Sequence, residues 1–199
     1  MYAIVEDNNI TQYINFPKSV VIGDVRYPAK IFELWTIAEK EAIGIYEIIV
    51  DKTNYKDPAY YNNTDSSYSF ADGQVTESWG TATAKELEDR NATDKDGVEL
   101  DPIVVIDGLK TDKKRIIKQQ ASGLLEKTDW HNHKALDDET YTIPDNIKTY
   151  RANVRAKSNE MESQIDACTN VDELKALYEY TRQEDGTQTR PLAEFPKEI

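Results

Sequence analysis

In the first eighty positions the hydrophobic residues form short runs that are separated by turn residues. Tyr2–Val5 and Ile10–Ile14 flank an Asp-Asn-Asn turn, and Tyr68–Phe70 and Gln74–Trp79 flank Ala-Asp-Gly. Asn, Asp and Gly tolerate the positive φ of tight turns, so both patterns predict β-hairpins. Ile45–Val50 is β-branched and apolar, which is typical of a buried strand.

A short helix is predicted just before that strand. The good helix formers of Ala38–Ala42 are followed by Gly44, a residue suited to the end of a helix.

From Thr111 onwards the spacing of apolar residues becomes helical. Between 116 and 125 they recur every three or four positions, which predicts an amphipathic helix after a Thr111 cap that ends near Lys127. A second helix is expected to start around Pro144, with apolar residues every seven positions as far as Cys168.

A third helix is predicted from Asn170, with Glu173 placed to complete its cap. The whole pattern predicts an α+β protein. A small N-terminal domain rich in antiparallel β-hairpins covers 1–84, and an acidic linker with one short strand covers 85–111. A C-terminal helical hairpin or three-helix segment with an extended tail covers 112–199.

The linker carries one apolar run in an otherwise polar sequence, formed by Ile103, Val104, Val105 and Ile106. Residues 85–90 are expected to form one or two helical turns. The apolar run predicts either an ordinary strand at a sheet edge or an exposed strand that a partner protein pairs with by β-augmentation.

The charge balance narrows the classes of partner. The chain of 199 residues has 37 acidic and 24 basic side chains and a net charge of −13. Such a chain repels nucleic acid and anionic lipid, so neither is a predicted partner, although the charge alone permits an acidic mimic of DNA. No apolar run approaches the roughly 20 residues of a membrane span, and no secretory leader is predicted.

Few residues suggest chemistry. Phosphate-binding glycine loops and nucleophile motifs are absent, and Cys168 is the single cysteine, so neither a disulfide within the chain nor a cysteine-built metal site is expected. His131 and His133, with Asp129 beside them, form an H-x-H pair in a predicted interhelical loop. They are either solvated loop histidines or the ligands of a small metal-dependent hydrolase. No catalytic residue and no cofactor is predicted.

One sequence pattern resembles a known family. The segment Leu124-Leu125-Glu126-Lys127-Thr128-Asp129-Trp130, followed by Tyr150-Arg151-Ala152-Asn153-Val154-Arg155, is similar to the LLxxTDW…YRxxxR pattern of tailed-bacteriophage tail fibre assembly proteins and related tail assembly chaperones. Asp72-Gly73-Gln74-Val75 and Trp79 match a weaker hairpin pattern of the same proteins. In physical terms the motif predicts a clamp, with Trp130 folded back onto Leu124 and Leu125 while Tyr150 and Arg151 approach from the next helix.

The resemblance implies a non-enzymatic structural or assembly protein of a bacteriophage tail. Its partners would be tail, baseplate or tail-fibre proteins, or further copies of itself. Its place would be the host cytoplasm during assembly, or the tail of the virion. Apolar residues on segments with little predicted structure are the candidate contacts. They are Tyr55, Tyr60, Tyr61, Ile103, Val104, Val105, Ile106, Trp130, Leu192, Phe195 and Pro196.

Overall fold

The computed structural model describes residues 1–199, which divide into two compact units, Met1–Thr83 and Ala84–Ile199. Helices account for 33% of the chain and strands for 25%. The predicted α+β class is therefore confirmed.

The first unit is built around a five-stranded sheet with the strand order β2-β1-β5-β8-β7. In chain order its elements are β1 (Tyr2–Glu6), β2 (Asn9–Ile14), β3 (Val20–Ile22), β4 (Val25–Tyr27), α1 (Ile31–Leu34), α2 (Ile37–Glu41), β5 (Ile45–Asp51), β6 (Tyr61–Asn62), β7 (Ser66–Ala71) and β8 (Gln74–Trp79). The two-residue strand β9 (Thr83–Ala84) lies at the boundary of the units.

Both predicted hairpins are confirmed, as β1–β2 and β7–β8. Their turns place Asp7 and Asn8, and then Asp72 and Gly73, at positive φ. Two consecutive residues of this kind make the tight turn whose twist matches that of the flanking strands. The choice of Asp, Asn and Gly therefore determines both hairpins locally.

The central strand β5 joins the two hairpins. It pairs antiparallel with β1, through Ala3 and Tyr46, and parallel with β8, through Ile48 and Val75. The parallel pairing of β5 with β8 was not part of the predicted hairpin pattern. The chain leaves β5, forms the edge strand β7 first and returns as β8, so β8 runs in the same direction as β5.

Alternation along the strands places side chains on both faces of this sheet. Ile4, Ile14 and Ile45 pack with Ile31 and Phe32 of α1 on one face. Ala3, Val5, Ile48 and Val75 form a second cluster.

Gly44 ends the helical segment before β5, as predicted. Its φ of +83° favours glycine, and a Cβ there would lie 2.7 Å from the Val5 carbonyl oxygen. The start of α2 has a capping box that was not predicted. The Thr36 hydroxyl accepts the Glu39 N–H, and the Glu39 carboxylate accepts the Thr36 N–H.

The second unit contains the long helices. Its elements are β10 (Arg90–Asn91), β11 (Val105–Ile106), α3 (Leu109–Glu126), α4 (Asp129–Asp137), α5 (Asp145–Asp166), α6 (Val171–Ala176), β12 (Thr181–Arg182) and β13 (Gln188–Thr189). Three of the helices match the predicted ones, and α4 is additional. None of the six helices in the protein combines the length and the apolar character needed to cross a lipid bilayer.

Helix α3 begins at Leu109, with Gly108 as its N-cap, and not after Thr111 as predicted. The reason is that residues 86–89 lie across the helix start. The Leu109 N–H donates to the Glu86 carbonyl, and the Gly108 N–H donates to the Asp89 carboxylate at 2.7 Å. These bonds satisfy N–H groups that a helix start leaves free.

The predicted helical turn at 85–90 is absent, because this stretch is extended and bent where it caps α3. The approach is so close that a Cβ on Gly108 would lie 2.4 Å from the Glu88 carbonyl carbon and oxygen. Residues 85–111 accordingly belong to the same compact unit as the helices.

Candidate functional site

The two halves of the LLxxTDW…YRxxxR pattern meet around the guanidinium group of Arg151. One of its nitrogens, Nη1, donates to the Leu125 carbonyl at 2.8 Å and to the Thr128 hydroxyl at 2.6 Å. The other, Nη2, lies 2.7 Å from the Asp129 carboxylate. The Thr128 hydroxyl in turn donates to the Leu125 carbonyl at 2.9 Å. We call these four residues the Arg151 clamp.

The groups that surround Arg151 favour a cation at this position. Leu125 lies in the last turn of α3, where unpaired carbonyls give the helix end a partial negative charge. Asp129 is the first residue of α4, where an acidic group is favourable. Arg151 therefore bridges two groups of negative character and joins α3, α4 and α5. Its side chain is 9% exposed, so these contacts lie largely inside the protein.

A small apolar cluster lies beside the clamp. Ala121 of α3 packs with Tyr150 and Val154 of α5, and Leu124, Leu125 and Phe195 cover them. The predicted approach of Tyr150 and Arg151 to the end of α3 is therefore confirmed. Phe195 from the C-terminal tail is the second aromatic residue at this cluster, beside Tyr150.

Trp130 has a different place from the one predicted. Its indole stacks on the ring of His131, with 3.7 Å between the ring centroids, and 54% of the residue is exposed. Trp130 is the second residue of α4, and the centroid of its indole lies 6.4 Å from the ring centroid of Tyr141 in the loop between α4 and α5.

The loop between α4 and α5 is itself ordered by side-chain hydrogen bonds. Asp138 accepts the hydroxyl and the N–H of Thr140, and these bonds lower the pKa of the Asp138 carboxyl. The His131 ring nitrogen Nδ1 makes a hydrogen bond with the Tyr141 hydroxyl.

The H-x-H pair does not form a chelate. The prediction of a loop at 129–137 was wrong, because these residues form α4. Two residues that are two positions apart on a helix point to nearly opposite sides. His131 is accordingly buried against Tyr141, whereas His133 is exposed. No group of three or more His, Cys, Asp or Glu side chains is arranged to hold a metal ion.

Several candidate contact residues lie inside the protein. Tyr60 and Tyr61 are 6% and 5% exposed, so they are core residues and do not offer a partner surface. Tyr55 remains 40% exposed and packs edge-on against Trp79.

The C-terminal candidates are largely covered by the second unit. Leu192 is 2% exposed, and its N–H donates to the Leu177 carbonyl. Gln164 of α5 holds the neighbouring backbone by bonds to the Pro191 carbonyl and the Ala193 N–H. Phe195 and Pro196 are half-buried. These residues therefore bind their own chain, and the expectation of free contact residues in the tail was wrong for Leu192 in particular.

The apolar run of the predicted linker is exposed at all four of its residues. Ile103, Val104, Val105 and Ile106 are 63%, 48%, 55% and 41% exposed. Val105 and Ile106 form β11, which pairs only with β10, and the Val104 carbonyl accepts the Ala92 N–H at 2.7 Å. The run thus belongs to a small ribbon of its own and is not an edge strand of the five-stranded sheet.

Sequence reasoning missed two features of this unit, the cap of α3 by Asp89 and a row of basic residues along α5. Lys148, Arg151 and Arg155 are spaced three and four positions apart, which places them on one face of the helix. That spacing is visible in the sequence and could have indicated the row.

Comparisons with protein-family models, with curated proteins and with solved structures find no match.

Proposed function

We propose that this protein is a structural or assembly protein of a bacteriophage tail and that it acts by binding other proteins. The LLxxTDW…YRxxxR pattern directs the proposal to phage tails. Its residues form the Arg151 clamp, which joins three helices.

The observation that carries the binding role is the exposed apolar ribbon. Six large apolar residues lie between 98 and 106, and each is at least 37% exposed. They are Val98, Leu100, Ile103, Val104, Val105 and Ile106. Single exposed apolar residues are ordinary, but a contiguous group of this kind is typical of a surface that a partner protein covers.

The form of the ribbon suggests how a partner would bind. Successive side chains of a strand point to opposite faces, and here both faces of β11 carry exposed apolar groups. We expect a partner strand or groove to cover Val105 on β11 and the exposed Ile103 just before the strand. Tail, baseplate and tail-fibre proteins are the proposed partners.

The experiment uses the affinity-tagged full-length protein in phage-infected cells. Copurifying proteins and purified particles are both analysed by mass spectrometry. The test variant is Ile103→Ser/Val105→Ser. The control is Val21→Ser/Val25→Ser, which changes two equally exposed apolar residues in the β3–β4 hairpin of the first unit.

We expect tail, baseplate or fibre proteins to copurify with the wild-type protein and with the control, and to be lost with the test variant. Circular dichroism of each variant checks that its helices are intact. If no tail component copurifies with the wild-type protein and the protein is absent from particles, the proposed function is wrong. Equal capture by both variants would remove the ribbon from the proposal.

A further inference from the structure

A small pocket lies beside the Arg151 clamp, between α4 and α5. It has a volume of about 250 Å³ and is lined by Asn132, Ile143, Lys148, Arg151 and Arg155. Three of these residues are cationic and none is acidic. The lining of the pocket is therefore positively charged, whereas the protein as a whole has a net charge of −13.

The positive charge of the pocket is only partly compensated. Arg151 is paired with Asp129, and Lys148 lies 3.1 Å from Asp145, whose side chain is 96% exposed. Arg155 has no acidic partner, and its one hydrogen bond, 3.4 Å long, goes to the Arg151 carbonyl. Like charges four residues apart on a helix repel each other, so an anion between Arg151 and Arg155 would relieve this repulsion.

We propose that this pocket binds the carboxylate of an acidic peptide segment, with Arg155 as the main ligand. The guanidinium group of Arg155 presents a planar pair of N–H donors that matches the two oxygens of a carboxylate. The Asn132 side-chain amide and the Lys148 ammonium supply further donors.

The remaining wall of the pocket selects among anions. Ile143 adds an apolar surface, against which the methylene groups of a glutamate side chain pack, whereas inorganic phosphate has no apolar part. A glutamate side chain on a protein partner therefore fits the pocket better than inorganic phosphate does.

This inference stands on the pocket alone and does not depend on a role in phage tails. The test therefore uses the isolated full-length protein. Side-chain resonances of Arg155 and Asn132 are followed by NMR during titration with an acetylated, amidated tri-glutamate peptide. The uncharged control peptide is tri-glutamine with the same end groups, and inorganic phosphate is titrated separately. The variants are Arg155→Gln and, as a control, Arg26→Gln on the exposed strand β4.

We expect saturable shifts of both resonances with tri-glutamate and none with tri-glutamine. Binding, followed at Asn132, should be about tenfold weaker in Arg155→Gln and unchanged in Arg26→Gln. An absence of saturable shifts, or equal binding by Arg155→Gln, would overturn the proposal. Tighter binding of phosphate than of tri-glutamate would overturn the assignment to a carboxylate.

Discussion

Arg151→Met is the most direct test of how the second unit is held together. The substitution keeps much of the aliphatic length of the side chain and removes the guanidinium group. It leaves the Leu125 carbonyl and the Thr128 hydroxyl without their charged donor, and it leaves Asp129 without its ion-pair partner.

The size of the effect follows from the three contacts. A hydrogen bond from a charged donor contributes about 1.5–3 kcal/mol, so the two bonds to neutral acceptors contribute roughly 3 kcal/mol at the low end. The ion pair contributes about 1 kcal/mol at most, because the Asp129 side chain is 46% exposed and solvent screens the pair. Thr128 and Leu125 keep the hydrogen bond between them, which recovers part of the loss. We therefore expect the free energy of unfolding to fall by about 2–4 kcal/mol.

Urea unfolding of the full-length protein, followed by circular dichroism at 222 nm, measures this change. The signal reports on the second unit, because α3 and α5 have 18 and 22 residues whereas α1 and α2 have 4 and 5. The matched control is Arg155→Met on the same helix, which we expect to cost less than about 0.5 kcal/mol because Arg155 is exposed. Arg151→Lys keeps the charge but not the two-pronged donor, so it should give an intermediate value.

The reasoning would be refuted by a loss of less than about 1 kcal/mol in Arg151→Met, which is below the value of one charged hydrogen bond. Equal losses in Arg151→Met and Arg155→Met would refute it as well. In that case the three helices would be held by their apolar contacts alone.

The same unfolding assay checks three further predictions. Gly108→Ala should lower the free energy of unfolding by about 1–3 kcal/mol, because its Cβ would clash with Glu88. Gly123→Ala on the open face of α3 should raise it by up to about 1 kcal/mol. A change of the same sign in both variants would contradict the clash. The hydrogen bond from the Gly108 N–H lowers the folded-state pKa of Asp89, so its stabilisation is present above the ordinary value of 3.8 and is lost as the pH falls through the folded-state pKa. Asp89→Asn should therefore flatten the decline in unfolding free energy below about pH 4, and an unchanged slope would argue against this role. Asn170→Ala removes the acceptor of the Glu173 N–H and should cost about 1 kcal/mol, which an unchanged urea midpoint would disprove.

The elements that sequence reasoning predicted well are those with local causes. Both main hairpins follow from Asp, Asn and Gly at positions of positive φ, and the end of the first helical segment follows from Gly44. Asn170 caps α6 as expected. In each case the decisive residue lies within a few positions of the feature it controls.

The candidate site was predicted in part. The LLxxTDW…YRxxxR pattern indicated that α3 and α5 approach each other, and Tyr150 and Arg151 do so. The place of Trp130 was wrong, because residues 129–137 form a helix where a loop was expected. The same helix separates His131 from His133.

Burial of the candidate contacts could not be read from local composition. Tyr60 and Tyr61 lie in a polar segment that looks like an exposed loop, yet both belong to the core. Leu192 follows a polar run, yet it is buried. The Gln164 side chain of α5 donates to the neighbouring Pro191 carbonyl, and the Leu192 N–H donates to the Leu177 carbonyl at the end of α6. Whether such residues are covered depends on partners that are distant in sequence.

By itself, the sequence determined the α+β class, the two tight hairpins, the amphipathic helices and the net negative charge, because each depends on nearby residues or on composition alone. Only the tertiary structure decided that β5 and β8 run parallel, that residues 86–89 cap α3, and that Arg151 joins three helices. Those features require contacts between segments 19 or more residues apart, as between Asp89 and Gly108 or between Leu125 and Arg151, and hydrophobic periodicity carries no information about such pairings. The tertiary structure likewise placed Lys148 and Arg155 around one pocket of positive charge on a protein of charge −13.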